Sequence, residues 1–152
     1  MPNPKVSVFF PAYNLEDYIE QSVGSFLAQS YQNIEIVLVD DGSKDNSLSI
    51  IKQLAGEDGR IVYASLPNGV AAKARNTGLS LATGEFVMFV DGDDMLSPNV
   101  IADNIGYFDD DKIDWVAFSI CRVDAEGNYI QTKKGVYSDF IISHQMRNLI
   151  HY

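Results

Sequence analysis

Phe86-Val87-Met88-Phe89-Val90 runs straight into Asp91-Gly92-Asp93-Asp94. The apolar residues are β-branched, aromatic or large, the composition of a buried strand. In an open α/β sheet, ligands bind outside the carboxyl ends of such strands. The carboxylates there are hard oxygen donors, suited to Mg²⁺ or Mn²⁺ and, through the metal, to a diphosphate. Asp91 and Asp93 are alternate residues of a turn, so both could reach one ion, with Gly92 permitting a tight bend. The competing reading is an Asp-rich turn that caps the helix beginning near Pro98, a role open to Asp94 in particular.

The same strand-then-loop pattern recurs upstream. Residues 6–10 are a short apolar run that Pro11 ends, and residues 34–39 a second run that leads into Asp40-Asp41. Between them Leu15, Ile19, Val23, Phe26 and Leu27 repeat at helical spacing. Asn14 is a candidate N-cap there, with Glu16 and Asp17 in the first turn. Asp45 or Asn46 can cap a second helix carrying Leu48, Ile51, Leu54 and Ala55, stopped by Gly56 and Gly59. Residues 61–64 read as a third strand, 70–82 as an alanine-rich helix and 85–90 as the fourth strand. Ser97-Pro98 then opens a helix through about Tyr107. Repeated β-then-α units predict a mostly parallel sheet with helices on both faces. Right-handed crossovers bring the strand C-termini to one edge, where loops 11–14, 40–43, 67–69 and 91–94 converge.

After Asp110 the pattern turns antiparallel. Residues 115–120 read as a strand, 124–128 as a hairpin loop with its return over 129–132, and 139–150 as an amphipathic helix.

With 152 residues, 46% of them hydrophobic, the chain can bury a real core. Its formal net charge of -10 argues against a nucleic-acid partner, which would want a basic stripe. A nucleotide ligand remains compatible, because a bound cation reverses the local charge. The single cysteine, Cys121, excludes an internal disulfide and reads as a packed thiol in a reducing compartment. The run over 6–10 is too short for a signal peptide, and no stretch reaches the length of a membrane span. A cytoplasmic protein is therefore expected.

Other residues could carry chemistry at the same edge. Asp40, at a strand end, can accept hydrogen bonds from a ring N–H or from ribose hydroxyls; capping by Asp41 and Ser43 is the alternative. Tyr13 offers a face on which a base could stack, or else packs as a satellite core aromatic. Lys73 and Arg75 lie in the first turns of the helix over 70–82, where an anion could bind. A solvated helix face is the commoner fate of such residues. His144 and His151 have no partner spacing that suggests a metal pair.

Taken together, these loops resemble the nucleotide-sugar-binding half of an inverting family 2 glycosyltransferase with the GT-A fold, a Rossmann-like α/β sandwich. The resemblance rests on Val8-Phe9-Phe10-Pro11-Ala12-Tyr13-Asn14 and on Val39-Asp40-Asp41-Gly42-Ser43 with Asp45-Asn46-Ser47. It continues through Ala74-Arg75-Asn76-Thr77-Gly78 and ends with Val90-Asp91-Gly92-Asp93-Asp94 and Ser97-Pro98-Asn99. It implies one domain, with residues 5–110 binding the nucleotide sugar and 111–152 beginning an acceptor-side part that stops short. Pro11, Ala12 and Tyr13 would flank the base, usually uracil, with Asn14 also in the nucleotide-sugar site, and Asp40 would accept the base's ring N–H. Arg75, with Lys73, would lie near the nucleotide. Asp91 and Asp93, with Gly92 between them, would form the DxD element, Asp93 holding Mn²⁺ or Mg²⁺ and Asp91 facing the ribose or the metal. The partners implied are a UDP-sugar donor and a carbohydrate or lipid-linked acceptor, in polysaccharide or glycoconjugate synthesis. Peripheral association with the cytoplasmic membrane face and oligomer formation are both compatible with it.

The chain departs from the family pattern at Gly69, which sits six residues ahead of Arg75 while Val70 holds the usual glycine position. No catalytic base is identifiable: Asp114, Asp124 and Asp139 are the carboxylates of the tail, and none lies in a recognisable motif. A receiver-like phosphate-binding module would place its acidic pair after the first strand, whereas Asp40-Asp41 follow the second. A sugar nucleotidyltransferase would want a Gly-rich, Arg-containing loop where Pro11-Ala12-Tyr13-Asn14 stands.

Overall fold

Strand and helix alternate as the periodicity predicts. The computed structural model describes residues 3–67, 71–110, 112–117, 122–123, 129–130 and 141–143. Strands β1 (Val6–Ala12), β2 (Ile34–Asp40), β3 (Ile61–Ser65) and β4 (Phe86–Phe89) form a sheet of order β3-β2-β1-β4 in which every pair is parallel. Helices α1 (Ile19–Leu27), α2 (Ser47–Glu57) and α3 (Ala71–Leu81) are the crossovers, and α4 (Val100–Ile105) follows β4. All of β2 is buried, which explains its run of apolar residues without alternation.

Helices cover both faces of the sheet. Successive strand residues point to opposite faces. Phe9 joins Val37, Val39 and Ala74 of α3 in one buried cluster. Phe10 points the other way and meets Phe26 of α1 edge-to-face, with ring centroids 5.6 Å apart. Gly78 lets α3 lie close on the sheet: a methyl group there would sit 2.0 Å from the Phe9 ring.

The strand order contains a reversal. The chain moves outward from β1 to β2 to β3 and then returns to the far side of β1 as β4. The crevice outside the carboxyl ends of β1 and β4 is the switch point at which open α/β sheets bind ligands.

Pro11 does not end β1, contrary to expectation; the strand continues to Ala12. The carbonyls of Lys5 and Phe9 accept from Phe86 and Val90, so odd residues of β1 face β4. Even residues face β2, as Val6 N–H to the Asn33 carbonyl and Asp41 N–H to the Ala12 carbonyl require. Pro11 therefore turns its missing N–H toward β4, whose pairing with β1 has ended at Phe9. No bond of the β1–β2 ladder is lost, and that pairing runs on to Ala12 and Asp40.

Helix starts differ from the expected caps. α1 begins at Ile19 behind a turn, and its N-cap position, Tyr18, makes no side-chain cap. Asn14 is thus not an N-cap. At α2, Asn46 makes no cap bond, while Asp45 Oδ1 accepts Ser47 N–H at 2.9 Å. Gly56 lies inside α2 and does not stop it. α4 begins at Val100, past Ser97-Pro98, whose carbonyls accept from Gln29 and Ser30, just beyond α1, and from Val100 itself.

The structure divides into two compact units, Met1–Asp103 and Asn104–Tyr152. The second contains a 3-10 turn (Gly106–Asp109), β5 (Ile113–Val116), β6 (Arg122–Val123), β7 (Tyr129–Ile130) and β8 (Ile141–Ser143). β6 and β7 pair antiparallel around the predicted loop, so Arg122–Val123 is the arm that precedes it; of the strand expected over 115–120, residues 115–116 lie in β5 and 118–120 lie outside the described residues. The helix expected over 139–150 is corrected at Ile141–Ser143, which pairs antiparallel with β5. Two adjacent β-branched isoleucines suit a strand once a partner is present, and tertiary pairing overrides a helical period. The remainder of that segment, loop 124–128, Gly69, Val70, Cys121, Asp124, Asp139, His144 and His151 lie outside the described residues. Among the described residues no helix is long and apolar enough to cross a membrane.

Candidate functional site

The acidic loop stands at the switch point. Val90 N–H donates to the Phe9 carbonyl at 3.0 Å, and Asp94 N–H closes a turn onto the Asp91 carbonyl at 3.1 Å. Gly92 serves a different purpose from the one expected. Gly42, with φ 72°, is the glycine of positive φ among the described residues, so Gly92 supplies close approach and not an unusual bend. A methyl group on Gly92 would lie 2.2 Å from Leu15 Cδ1 and 2.6 Å from the Pro11 carbonyl oxygen. The acidic loop therefore packs directly on the end of β1 and the segment that follows it.

The carboxylates of this loop are unequal. Asp91 and Asp93 are exposed and make no side-chain hydrogen bond among the described residues. Asp94 is half-buried; burial, then the charges of Asp93 and Asp91, push its carboxyl above the ordinary range. A divalent cation would relieve that repulsion. Among the described residues no group of three or more His, Cys, Asp or Glu is disposed to hold a metal ion. A pair of carboxylates fits a cation that completes its shell with phosphate and water oxygens.

Sequence reading missed the support beneath this loop. Gln29 is 1% exposed and holds the segment after the acidic turn. Its Nε2 donates to the Ser97 carbonyl at 2.7 Å, and its Oε1 accepts Ile101 N–H at 3.4 Å. Leu96 N–H donates to Ser25 Oγ at 3.0 Å. A buried glutamine at the end of an amphipathic helix is the one signal that could have revealed it, since buried amides need partners.

The loops after β1 and β2 are laced together. Asn14 N–H donates to Ser43 Oγ at 3.0 Å and Lys44 N–H to Asn14 Oδ1 at 2.8 Å. Leu15 N–H donates to Ser47 Oγ at 2.8 Å and Glu16 N–H to Asp45 Oδ2 at 3.1 Å. Glu16 Oε2 accepts both Asn46 N–H at 2.9 Å and Asn46 Nδ2 at 2.8 Å.

Asp40 is 1% exposed, and both its oxygens are engaged. Oδ1 accepts Ser43 N–H at 3.1 Å and Oδ2 accepts the Ser65 hydroxyl at 2.9 Å. Its neighbour Asp41 is half-buried and makes no side-chain hydrogen bond among the described residues. Tyr13 is 44% exposed, while Pro11 is half-buried and Ala12 buried. Lys73 and Arg75 flank buried Ala74 on α3; both are exposed and neither has a polar partner among the described residues. In the second unit, an open depression lined by Tyr107, Asp109, Asp110 and Lys112 contains none of these residues.

A parallel sheet that reverses beside a bare acidic turn defines a doubly wound α/β protein whose binding crevice lies at the strand C-termini. The chain belongs to glycosyl transferase family 2, whose profile matches residues 7–151. It is 36% identical over 132 residues to an uncharacterized glycosyltransferase of Haemophilus influenzae, covering 86% of this chain and 53% of that protein. Its fold is similar to that of Staphylococcus aureus TarS 1-349 in complex with UDP, with a TM-score of 0.63 and 34% identity over 69% of this chain and 32% of that one. It is also similar to the mannosyltransferase PcManGT of Pyrobaculum calidifontis, solved with GDP-Man and Mn²⁺, at a TM-score of 0.68 and 27% identity over 73% of this chain and 34% of that one. The expected GT-A sandwich is therefore the fold of this chain, which spans about half the length of the Haemophilus relative.

Proposed function

We propose that this chain binds a nucleotide sugar, with UDP as its nucleotide, and forms the donor-binding part of an inverting glycosyltransferase in polysaccharide or glycoconjugate synthesis. The observation that carries this reading is the packing of Gly92 on Pro11 and Leu15. It sets a bare acidic turn beside the loop bearing the exposed Tyr13, at the switch point of a family 2 scaffold. Tyr13 offers its ring to the base, with Pro11 and Ala12 beside it. The resemblance assigns Asp40 to the ring N–H; because its oxygens are engaged, we assign that contact to Asp41 and its support to Asp40. Lys73 and Arg75, exposed and without a polar partner among the described residues, can donate to phosphate oxygens.

Asp93 and Asp91 would hold Mn²⁺ or Mg²⁺. Such a cation, when bound, offsets the charge that develops on the leaving diphosphate. In the transfer, the acceptor hydroxyl oxygen bonds to the anomeric carbon from the face opposite the phosphate. The bond from that carbon to the phosphate oxygen breaks, and its electron pair departs on the nucleoside diphosphate. The hydroxyl proton goes to a general base, to which no residue is assigned. The acceptor is a carbohydrate or lipid-linked hydroxyl, approached at the cytoplasmic membrane face.

Calorimetric titration of UDP and GDP, with and without Mn²⁺, tests the reading. UDP should bind in preference to GDP, in a metal-dependent way, and Asp93→Ala should weaken it by about a hundredfold or more. Absence of nucleotide binding, or unchanged binding by Asp93→Ala, would sink the assignment.

A further inference from the structure

We infer that Asn14 and Ser43 form a clasp that positions the nucleobase end of the donor site, without themselves contacting the donor. The inference deepens the donor-binding reading and rests on it. The β1–β2 ladder ends where Asp41 N–H donates to the Ala12 carbonyl at 2.9 Å. Beyond that bond both backbones turn away, and both use the left-handed region to do so: Asn14 at φ 52° and Gly42 at φ 72°. Side chains then take over from the ladder. Ser43 Oγ accepts Asn14 N–H at 3.0 Å, and Asn14 Oδ1 accepts Lys44 N–H at 2.8 Å.

Tyr13 and Asp41 are the first residues beyond β1 and β2, on the way into the clasp. One carries the exposed ring and the other the carboxylate left without a partner among the described residues. A base that stacks on one while donating to the other needs them in a fixed relation, and the clasp supplies it. Asn14 Oδ1 is turned to the Lys44 amide, so the oxygen that could accept a donor hydrogen bond already serves the clasp. The outer bonds, Leu15 to Ser47 and Glu16 to Asn46, do not pass through the clasp. Cutting it leaves Leu15, and so the support of Gly92, in place.

Three variants of the full chain test this. Asn14→Gly deletes the acceptor while tolerating the positive φ. Ser43→Ala deletes the hydroxyl, and Ser43→Thr restores one. Each is titrated with UDP and with inorganic pyrophosphate, both in the presence of Mn²⁺, and its melting temperature is recorded. Asn14→Gly and Ser43→Ala should each weaken UDP binding about tenfold. Pyrophosphate affinity and melting temperature should stay at the parent values, and Ser43→Thr should recover most of the loss. Unchanged UDP affinity in both deletions would overturn the inference. So would equal losses of UDP and pyrophosphate, which would make these residues supports of the whole site. Should Ser43→Ala fail to fold, Asn14→Gly carries the same comparison. Failure of the parent chain to bind UDP is a separate outcome; it removes the donor reading and the clasp with it.

Discussion

The two ends of one sheet treat their carboxylates in opposite ways. At the amino end, Glu35 of β2 is 5% exposed and surrounded by donors. It accepts the Ser7 hydroxyl and Thr83 N–H, each at 2.5 Å, the Thr83 hydroxyl at 2.7 Å and Gly84 N–H at 3.2 Å. Lys5 Nζ completes the group at 2.5 Å. Burial alone would raise the Glu35 carboxyl, but the bonds from Lys5, Ser7 and Thr83 outweigh it and hold the value at about 2. At the carboxyl end of the same sheet, Asp91 and Asp93 stand exposed without side-chain partners among the described residues. The same chemical group locks β1, β2 and the turn before β4 together at one end and is left bare at the other. Surroundings, not residue type, separate a structural carboxylate from one available to a ligand.

Removing the buried member should have the largest effect on stability. Glu35→Ala leaves the Ser7 and Thr83 donors without their acceptor and should destabilise the chain by about 3 kcal/mol. Chemical denaturation measures this. The UDP affinity of the folded fraction should not change, and a large change there would mean that the two ends are not independent. The same residue sets a pH dependence. Its carboxyl falls from an ordinary value of 4.5 to about 2, so its stabilisation is complete above 4.5 and disappears as pH falls from there through 2. Denaturation midpoints across that window should drop more steeply for the parent than for Glu35→Gln. Parallel curves would break the comparison.

At the other end, Gly92→Ala should destabilise by about 1–3 kcal/mol, because the Pro11 carbonyl is backbone and cannot swing aside as a side-chain tip can. UDP affinity should fall with it, since the acidic loop must lift from its seat. Retained affinity and stability would show that the seat adapts. The smallest effect belongs to Asp93→Ala, whose melting temperature should match the parent or rise slightly. It removes one of the charges that push the Asp94 carboxyl up, so a marked loss of stability would contradict the contrast between the two ends.

Much of the architecture is legible in residue order. The unbroken apolar run of β2 marks a central strand, and the spacing of Ile19, Val23 and Phe26 marks a helix that buries all of them. The acidic loop, Tyr13, Asp40, Lys73 and Arg75 all fall at the edge that strand alternation predicts. Less legible is which of them is free. Asp40 and Asp41 are adjacent and alike in sequence, yet only Asp40 is buried with both oxygens engaged. Asn14 reads as a helix cap, yet the loop after β2 captures its side chain. Pro11 reads as a strand stop, yet the position where β4 ends makes its missing N–H harmless.

By itself, then, the sequence determined the alternation of elements, the parallel sheet and the acidic strand end, because periodicity, turn chemistry and charge are local properties. Tertiary structure alone decided which carboxylate stabilises, which stays bare and how the loops are held. Those outcomes depend on partners far apart in the chain: 28 residues from Ser7 to Glu35, 48 from Glu35 to Thr83 and 68 from Gln29 to Ser97. A hydrogen bond forms only where folding has brought donor and acceptor together and excluded water. No local pattern encodes that meeting.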